Sequence, residues 1–366
     1  MPIYMDLHVG QGITPEMLAK AHQKDLAVQD RFNCRCLTYW LDVTRGNSYC
    51  LIEAPDKSAV AKMHWNAHLQ YPEEIIEVDE RVVKAFLGRL NDPEIVDYLI
   101  DQKVKVFSET ALRIIVQVGV DDKVQLAHKM GEQRAATLLA KYHRVINICF
   151  ESHHGVVAGS QGQECVVSFV SVVPAVICSL ELQDILGDDA QVLNLNVSIH
   201  AGNPVDNHPE IFGNTLQLLS IMNCMEKKDS IVASNRVKKL LKSSSERFKV
   251  NMKNLQFLSS SNERFLSDLG EVFSRHWQNP HFELRDIGKE LSVSKSQLYR
   301  KSVNATGRSV KRLLQEFRLR NALKMLRESK ENISQVGYGC GFNSPSYFTK
   351  CFHKRYGVKP RAYLHS

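Results

Sequence analysis

No Cys-x-x-Cys pair occurs anywhere in this chain. Its nine cysteines are scattered and odd in number, so spacing gives neither a disulfide framework nor a thiolate zinc site. A reduced, cytoplasmic chain is the simple expectation. Cys34 and Cys36 make only a Cys-x-Cys, which on a strand turns both thiols to one face. MPIYMDLHV is not expected to act as a cleavable leader, because it has no basic region followed by an apolar run. Nor is there an unbroken apolar span. The longest candidate, CVVSFVSVVPAVICSLEL from Cys165 to Leu182, is interrupted by Pro174, serines and Glu181. It reads as strand, turn and helix, not as a membrane crossing. No catalytic triad or general-base arrangement is evident.

What is present is a chain of 366 residues, long enough for two or three domains. Its 43% hydrophobic and 24% charged residues are ordinary for a globular protein. The charge is unevenly placed. Residues 262–366 carry a net +11, whereas residues 1–261 carry a net −4. A basic last third behind an acidic body suggests that the tail meets a polyanion.

Residues 2–79 alternate cleanly. IYMDLHV reads as a strand, and Thr14-Pro15 opens a helix to about Phe32. CRCLTYWLDV and SYCLIEA are strands around the turn Thr44–Asn47, Asp56 caps a second helix, and EEIIEVD closes as a strand. The order βαββαβ suggests a ferredoxin-like sandwich. Residues 81–111 read as a helical connector, with a new helix start at Asp92-Pro93. From 112 to 258 an α/β pattern returns. RIIVQVGV is a strand, a long helix runs from about Lys123 to His153, a strand pair surrounds Gly162, and Pro174 opens a helix to Leu186. LNLNVSIHAG, SIVAS and FKVNMKNLQFL read as further strands. SSSNER reads as a linker over 259–264, and 265–366 become helical. The fold class expected is multidomain, two α+β parts followed by an all-α part.

The last third repeats itself. Leu284, Ile287, Gly288, Leu291 and Val293 correspond to Ile333, Val336, Gly337, Cys340 and Phe342 at a constant offset of 49. One extra residue in the second turn then matches Leu298 to Phe348. An apolar helix, a turn and a helix with a polar outer face make the helix-turn-helix pattern, twice. Gly288 and Gly337 leave room where the paired helices cross. "GYGCGFNSPSYFTKCFHKRYGVKPRAY", Gly337 to Tyr363, resembles the signature of the AraC/XylS family of transcription regulators. Gly337 stands where that family usually has alanine. The resemblance implies double-stranded DNA as partner and two recognition helices, here about Ser294–Asn304 and Ser344–Tyr356, joined by a long helix over about Ser309–Glu328. Outer-face positions near each helix start are Ser296, Tyr299 and Arg300, and Ser346, Tyr347 and Lys350 beside Ser344 and Pro345. Arg300 suits a guanine edge. Lys295, Lys301, Lys354 and Arg355 suit phosphates. Leu298, Phe348 and Phe352 are expected in the core.

Residues 112–258 resemble the class III nucleotide cyclase homology domain. The stretches that carry this are LAHKMGEQRAATLLAKYHRV, ESHHGVVAGSQGQECVVSFVS and LNVSIHAGNPV with the following IFGNTLQLLSIMN. Cyclase chemistry needs two aspartates holding two metal ions. The matching positions fall at about Gly119 and at Gln163, and the transition-state asparagine and arginine positions near Gln217 and Ile221. Neither glycine nor glutamine supplies the charge a divalent ion needs. The resemblance therefore implies a pseudo-cyclase, a scaffold for a homodimer. The alternative function is a divergent cyclase rescued by Asp121, Asp122 or Glu164.

MDLHV, AHQKDLAVQ, LTYWLD, YCLIEAPD and HWNAHL resemble a small bacterial domain family known as DUF4242, some members of which are described as nickel-binding with a ferredoxin-like fold. The shared polar residues include Asp6, His8, His22, Asp25, Gln29, Cys50, His64 and His68. Spacing adds that Asp6 and His8 share a sheet face, His22 and Asp25 one helix face, and His64 and His68 another. Imidazole, carboxylate and thiolate suit nickel or another transition metal. The metal candidates are His8, His22, Asp25, Cys50, His64 and His68. Against this stands a reading of these histidines as hydrogen-bonded helix-edge residues, and a second option is a small apolar ligand gripped by Tyr39 and Trp40. The whole reads as a transcription regulator with an N-terminal sensor, its effector a metal or small molecule. A third class is a metal buffer fused to a scaffold.

Overall fold

Alternation in the first residues is realised as β1 (Ile3–Val9), which turns Tyr4, Asp6 and His8 to one face and Met5 to the other. The computed structural model describes every residue except 11, 43, 44, 102, 162, 163, 207, 226–230, 245–251, 329, 330 and 364–366. Two compact units divide the chain: residues 1–114 with 156–159 and 201–215, and the remainder.

In the first unit α1 (Pro15–Val28) starts as expected, with the Thr14 hydroxyl accepting from the Met17 N–H and proline at the first position. A 3-10 turn carries it on over Gln29–Phe32. Next come β2 (Arg35–Asp42), β3 (Asn47–Glu53), α2 (Lys57–His68) and β4 (Glu74–Val78). Thr44, in the expected turn, lies outside the described residues. The antiparallel sheet runs β2-β3-β1-β4. Tyr4, Tyr39, Leu41 and Ile52 of the sheet pack with Leu18, Val60 and Met63 of the two helices. Asp6, His8 and Cys50 are thus drawn under the helices beside that apolar core.

Residues 81–111 are only partly helical. After α3 (Glu80–Leu87), stopped by Gly88 at φ +84, comes a hairpin of β5 (Tyr98–Ile100) and β6 (Val104–Val106). Asp92-Pro93 starts no helix, because the Asp92 carboxylate is turned toward His22 and Thr38 and caps nothing. Val106 and Phe107 then complete the core of this unit.

From residue 113 onward a six-stranded sheet runs in the order β12-β11-β10-β7-β9-β8, most of its residues falling in the second unit. Its strands are β7 (Arg113–Gly119), β8 (Val156–Gln161), β9 (Glu164–Phe169), β10 (Asn196–Gly202), β11 (Ile231–Ala233) and β12 (Leu255–Phe257). Strands β10, β11 and β12 are parallel. The single helix expected over 123–153 is two, α4 (Lys123–Met130) and α5 (Glu132–Ser152), divided by Gly131 at φ +85. The remaining helices here are α6 (Val172–Leu186), α7 (Asp188–Val192), α8 (Gly213–Met222) and α9 (Asn235–Ser243). Gly162 and the first part of the last expected strand lie outside the described residues.

Residues 259–264 are not a linker. The Ser259 hydroxyl caps α10 (Ser260–His276) by accepting the Asn262 N–H. A serine-rich run reads equally well as a loop or as an N-cap, and burial of Phe265, Leu266 and Leu269 decides for the helix. Then follow α11 (Leu284–Glu290), α12 (Lys295–Thr306), α13 (Val310–Glu328), α14 (Ile333–Gly339), α15 (Pro345–Tyr356) and a 3-10 turn, Pro360–Tyr363.

Candidate metal centre and nucleic-acid interface

The four-residue spacing on α2 brings His64 and His68 to one face, over Asp6 and His8 on β1, Cys50 on β3 and Asp25 on α1. His64 is fully buried at the centre. Its Nε2 lies 2.7 Å from Asp6 Oδ2, and its Nδ1 lies 3.1 Å from both Asp25 Oδ1 and His68 Nε2. His68 Nε2 is 3.3 Å from Asp25 Oδ1, and His8 Nε2 is 3.6 Å from Asp6 Oδ1. The Cys50 backbone N–H donates to Asp6 Oδ1 at 3.0 Å. Two groupings result, Asp6, His8, Cys50 and His64, and Asp25, His64 and His68, each with its donor atoms within 4.8 Å of one another.

Burial opposes charge on each group, and for Asp6, Asp25 and His64 the pairing overrides it. His64 and His8 hold Asp6 well below the usual carboxylate range, and hydrogen bonds from His64 and His68 hold Asp25 low. Burial would lower His64, but Asp6 and Asp25 push it up to about 10. Burial, then Asp6 and Asp25, push the Cys50 thiol well up. A cation would take over the role these protons play. Two observations fit one. His8 Nε2 and His68 Nδ1 are buried without a hydrogen-bond partner. Donor atoms bonded at about 2.0–2.3 Å to a common ion lie within about 4.6 Å of one another, close to the spacing here. Nitrogen, sulfur and carboxylate donors together suit a transition metal over magnesium or calcium.

His22 does not join either grouping. It faces Asp92 at 3.4 Å and packs on Tyr39, with ring centroids 5.2 Å apart. Gln29 accepts the Cys36 N–H at 2.7 Å instead. Asp6, a shared polar residue left out of the expected metal candidates, is the pivot between His64, His8 and Cys50. Tyr39 and Trp40 do not grip one ligand. Both are fully buried, and as successive strand residues they cover opposite faces of the sheet. Tyr39 stacks on Phe107 and Trp40 lies under Arg89.

In the helical third the two repeats share their caps and turns. The Ser294 and Asn332 side chains accept the N–H groups of Gln297 and Gln335, whose side chains return the bond. Ser344 caps α15 by accepting the Tyr347 N–H. Ser292 and Gly341, 49 apart, both adopt a left-handed φ between the paired helices, at +52 and +74. A Cβ on Gly337 would sit 3.0 Å from the Phe348 ring, so the crossing is as close as the glycine suggested. Leu298, Phe348 and Phe352 are buried.

Lys295, Ser296, Tyr299 and Arg300 stand exposed on α12, and Ser346, Tyr347, Lys350 and Lys354 on α15, while Ser344 and Pro345 are half-buried. Lys301 lies over the Phe265 ring at 5.9 Å. The Arg355 Nε donates to both Glu316 oxygens, at 2.7 and 2.8 Å, so it braces α15 against α13. Sequence reading missed Arg285, Lys289 and Lys311, which with Lys295 line a groove of about 1030 Å³. Their signal is the cation spacing of α11 and α13.

Among the described residues, no metal-holding group gathers at the positions expected from the cyclase resemblance. Gly119 ends β7 beneath the Glu164 side chain. Gln163 lies outside the described residues. Gln217 donates to Ser274 Oγ at 2.7 Å, and Ile221 is fully buried. Asp121 is paired with Lys129 at 2.6 Å, and Asp122 caps α4.

Residues 287–366 match the family model described as "Helix-turn-helix domain", and residues 4–78 match that described as "Nickel responsive protein SCO4226-like". The C-terminal segment is thus a helix-turn-helix domain of AraC type, and the N-terminal segment an SCO4226-like domain. Among relatives, Histidine kinase P4 of Formosa agariphila is 35% identical over 106 residues, 29% of this chain and 8% of that protein. The HTH-type transcriptional activator RhaS of Mannheimia succiniciproducens is 29% identical over 89 residues, 23% of this chain and 33% of RhaS. The solved structure of SCO4226 from Streptomyces coelicolor is 42% identical, covering 21% of this chain and 94% of that one, with a TM-score of 0.20. The chain spans about a third or less of these curated relatives' length. No described helix is long and apolar enough to cross a membrane.

Proposed function

We propose that this chain is a DNA-binding transcription regulator, not an enzyme, whose DNA affinity responds to a transition metal held by the N-terminal cluster. One observation carries the reading. A buried set of imidazole, carboxylate and thiol groups, two of its nitrogens without a hydrogen-bond partner, lies in the same chain as two capped helix-turn-helix repeats with exposed cationic faces. Nickel is the first ion to test, since the N-terminal segment matches a family described as nickel responsive. Asp6, His8, Cys50 and His64 would hold the ion, with Asp25 and His68 on the far side of the shared imidazole. The sheet order β2-β3-β1-β4 with both helices on one face supports a ferredoxin-like reading of this part.

Ser296, Tyr299, Arg300, Ser346, Tyr347 and Lys350 would read base edges. Lys295, Lys301 and Lys354, joined by Arg285, Lys289 and Lys311, would hold phosphates. The middle sheet would serve as a degenerate cyclase-type scaffold for a homodimer, in the cytoplasm. Glycine at 119 and glutamine at 163 speak against the alternative of a working cyclase. Metal binding would shift the population between forms of different DNA affinity. Salt titration of binding to promoter-length duplexes tests the DNA part. The expected result is affinity falling linearly with salt on logarithmic axes, with a slope of about −5 or steeper if six or more phosphates are contacted. Affinity independent of salt contradicts it.

A further inference from the structure

We infer that a cavity beneath α13 binds a small oxyanion ligand, a phosphate ester or carboxylate of a few carbon atoms. The cavity measures about 210 Å³, below the about 300–1,000 Å³ usual for drug-sized ligands. Its lining includes Gln117, Asn194 and Ser220, with the carboxylates of Asp121 and Glu164. The cations come from one helix: Arg320, Lys324 and Arg327 stand at i, i+4 and i+7 on one face of α13.

The donors on that face are not used up. Arg320 gives its Nη2 to Glu164, and Arg327 gives its Nη2 to Asp122. The Nε and Nη1 groups of both have no partner among the described residues, nor does the exposed Lys324 ammonium. A guanidinium carries five N–H donors, so one bond to a carboxylate leaves others for an anion. Two of them with a lysine between, all lining one cavity, point to an anion.

The site is also a joint. Glu164 ties α13 to β9 and Asp122 ties it to the start of α4, and the Tyr363 hydroxyl donates to Asp122 Oδ1 at 3.1 Å. An anion on Arg320 and Arg327 competes with both carboxylates, and so loosens the helix that joins the two helix-turn-helix repeats. That consequence for DNA rests on the DNA reading above; anion binding itself does not.

Calorimetric titration of the full chain without DNA, using inorganic phosphate, glycerol phosphate and succinate as separate titrants, tests the site. The expected result is saturable binding of at least one of the three, with the preferred titrant distinguishing free phosphate, a phosphate ester and a carboxylate. Arg320→Gln and Lys324→Gln should each weaken it at least about ten-fold, while Lys239→Gln, an exposed cation on α9, should leave it unchanged. Lys324→Gln alters an exposed residue, so it tests the site even if Arg320→Gln fails to fold. No saturation with any titrant up to about 10 mM overturns the inference. So does binding that survives Lys324→Gln, or that falls equally with Lys239→Gln.

Discussion

His64 holds the N-terminal cluster together, and its neighbours decide what it does. A buried imidazole between two carboxylates is either a proton-filled ion pair or a ligand whose protons a metal displaces. The two differ in a measurable way. Protein purified without a histidine tag in the presence of nickel should retain metal, and His64→Ala/His68→Ala should lose most of it by elemental analysis. Equal metal content in both would leave the histidines as core residues. A second buried imidazole makes a contrasting prediction. His200 is bonded to Ser234 Oγ at 2.8 Å, and burial, then Arg236, push it down to about 3. The folded chain takes this proton less readily than the unfolded one, so acid favours unfolding. The contribution is complete above about pH 6.5, the ordinary imidazole value, and is lost progressively as pH falls toward 3. His200→Gln should flatten that acid limb by an amount on the order of a few kcal/mol, read by denaturant melts at stepped pH. An unchanged limb would mean that other groups carry it.

At the scale of elements the crossings of paired helices make the sharpest prediction. Gly337 already brings a notional Cβ to 3.0 Å from Phe348. Gly337→Leu should therefore overpack the crossing by about 1–3 kcal/mol and reduce duplex affinity. Gly337→Ala, a smaller intrusion, should be far milder; equal damage from both would argue against a steric cause. Local rules are also where the sequence was most informative. Thr14-Pro15 and Asp56 were legible because a capping side chain and its backbone partner lie within a few residues of each other, and the repeat because it recurs at one fixed offset. Asp92-Pro93 and SSSNER were not. An aspartate before proline reads as a cap until a distant histidine takes its carboxylate, and a serine run reads as a loop until burial of Phe265, Leu266 and Leu269 makes it the start of a helix. In the same way spacing placed His64 with His68 but not His22, because which helix face meets which strand is a tertiary fact. The bond from Arg355 to Glu316 was out of reach for the same reason, since the two lie 39 residues apart.

For the whole molecule, charge was legible at once, since the basic third stands out from composition alone. What composition cannot supply is the link between an N-terminal cluster and a C-terminal reader. A ligand alters DNA affinity only by binding its two forms unequally, and the coupling is reciprocal. The direct measurement is fluorescence anisotropy of a bound promoter duplex with the full chain, at fixed salt, with nickel added and with nickel chelated. The account predicts an affinity change of about five-fold or more on adding nickel, abolished in His64→Ala/His68→Ala while that variant still binds DNA. An identical nickel response in the variant, or none in the parent protein, would contradict it.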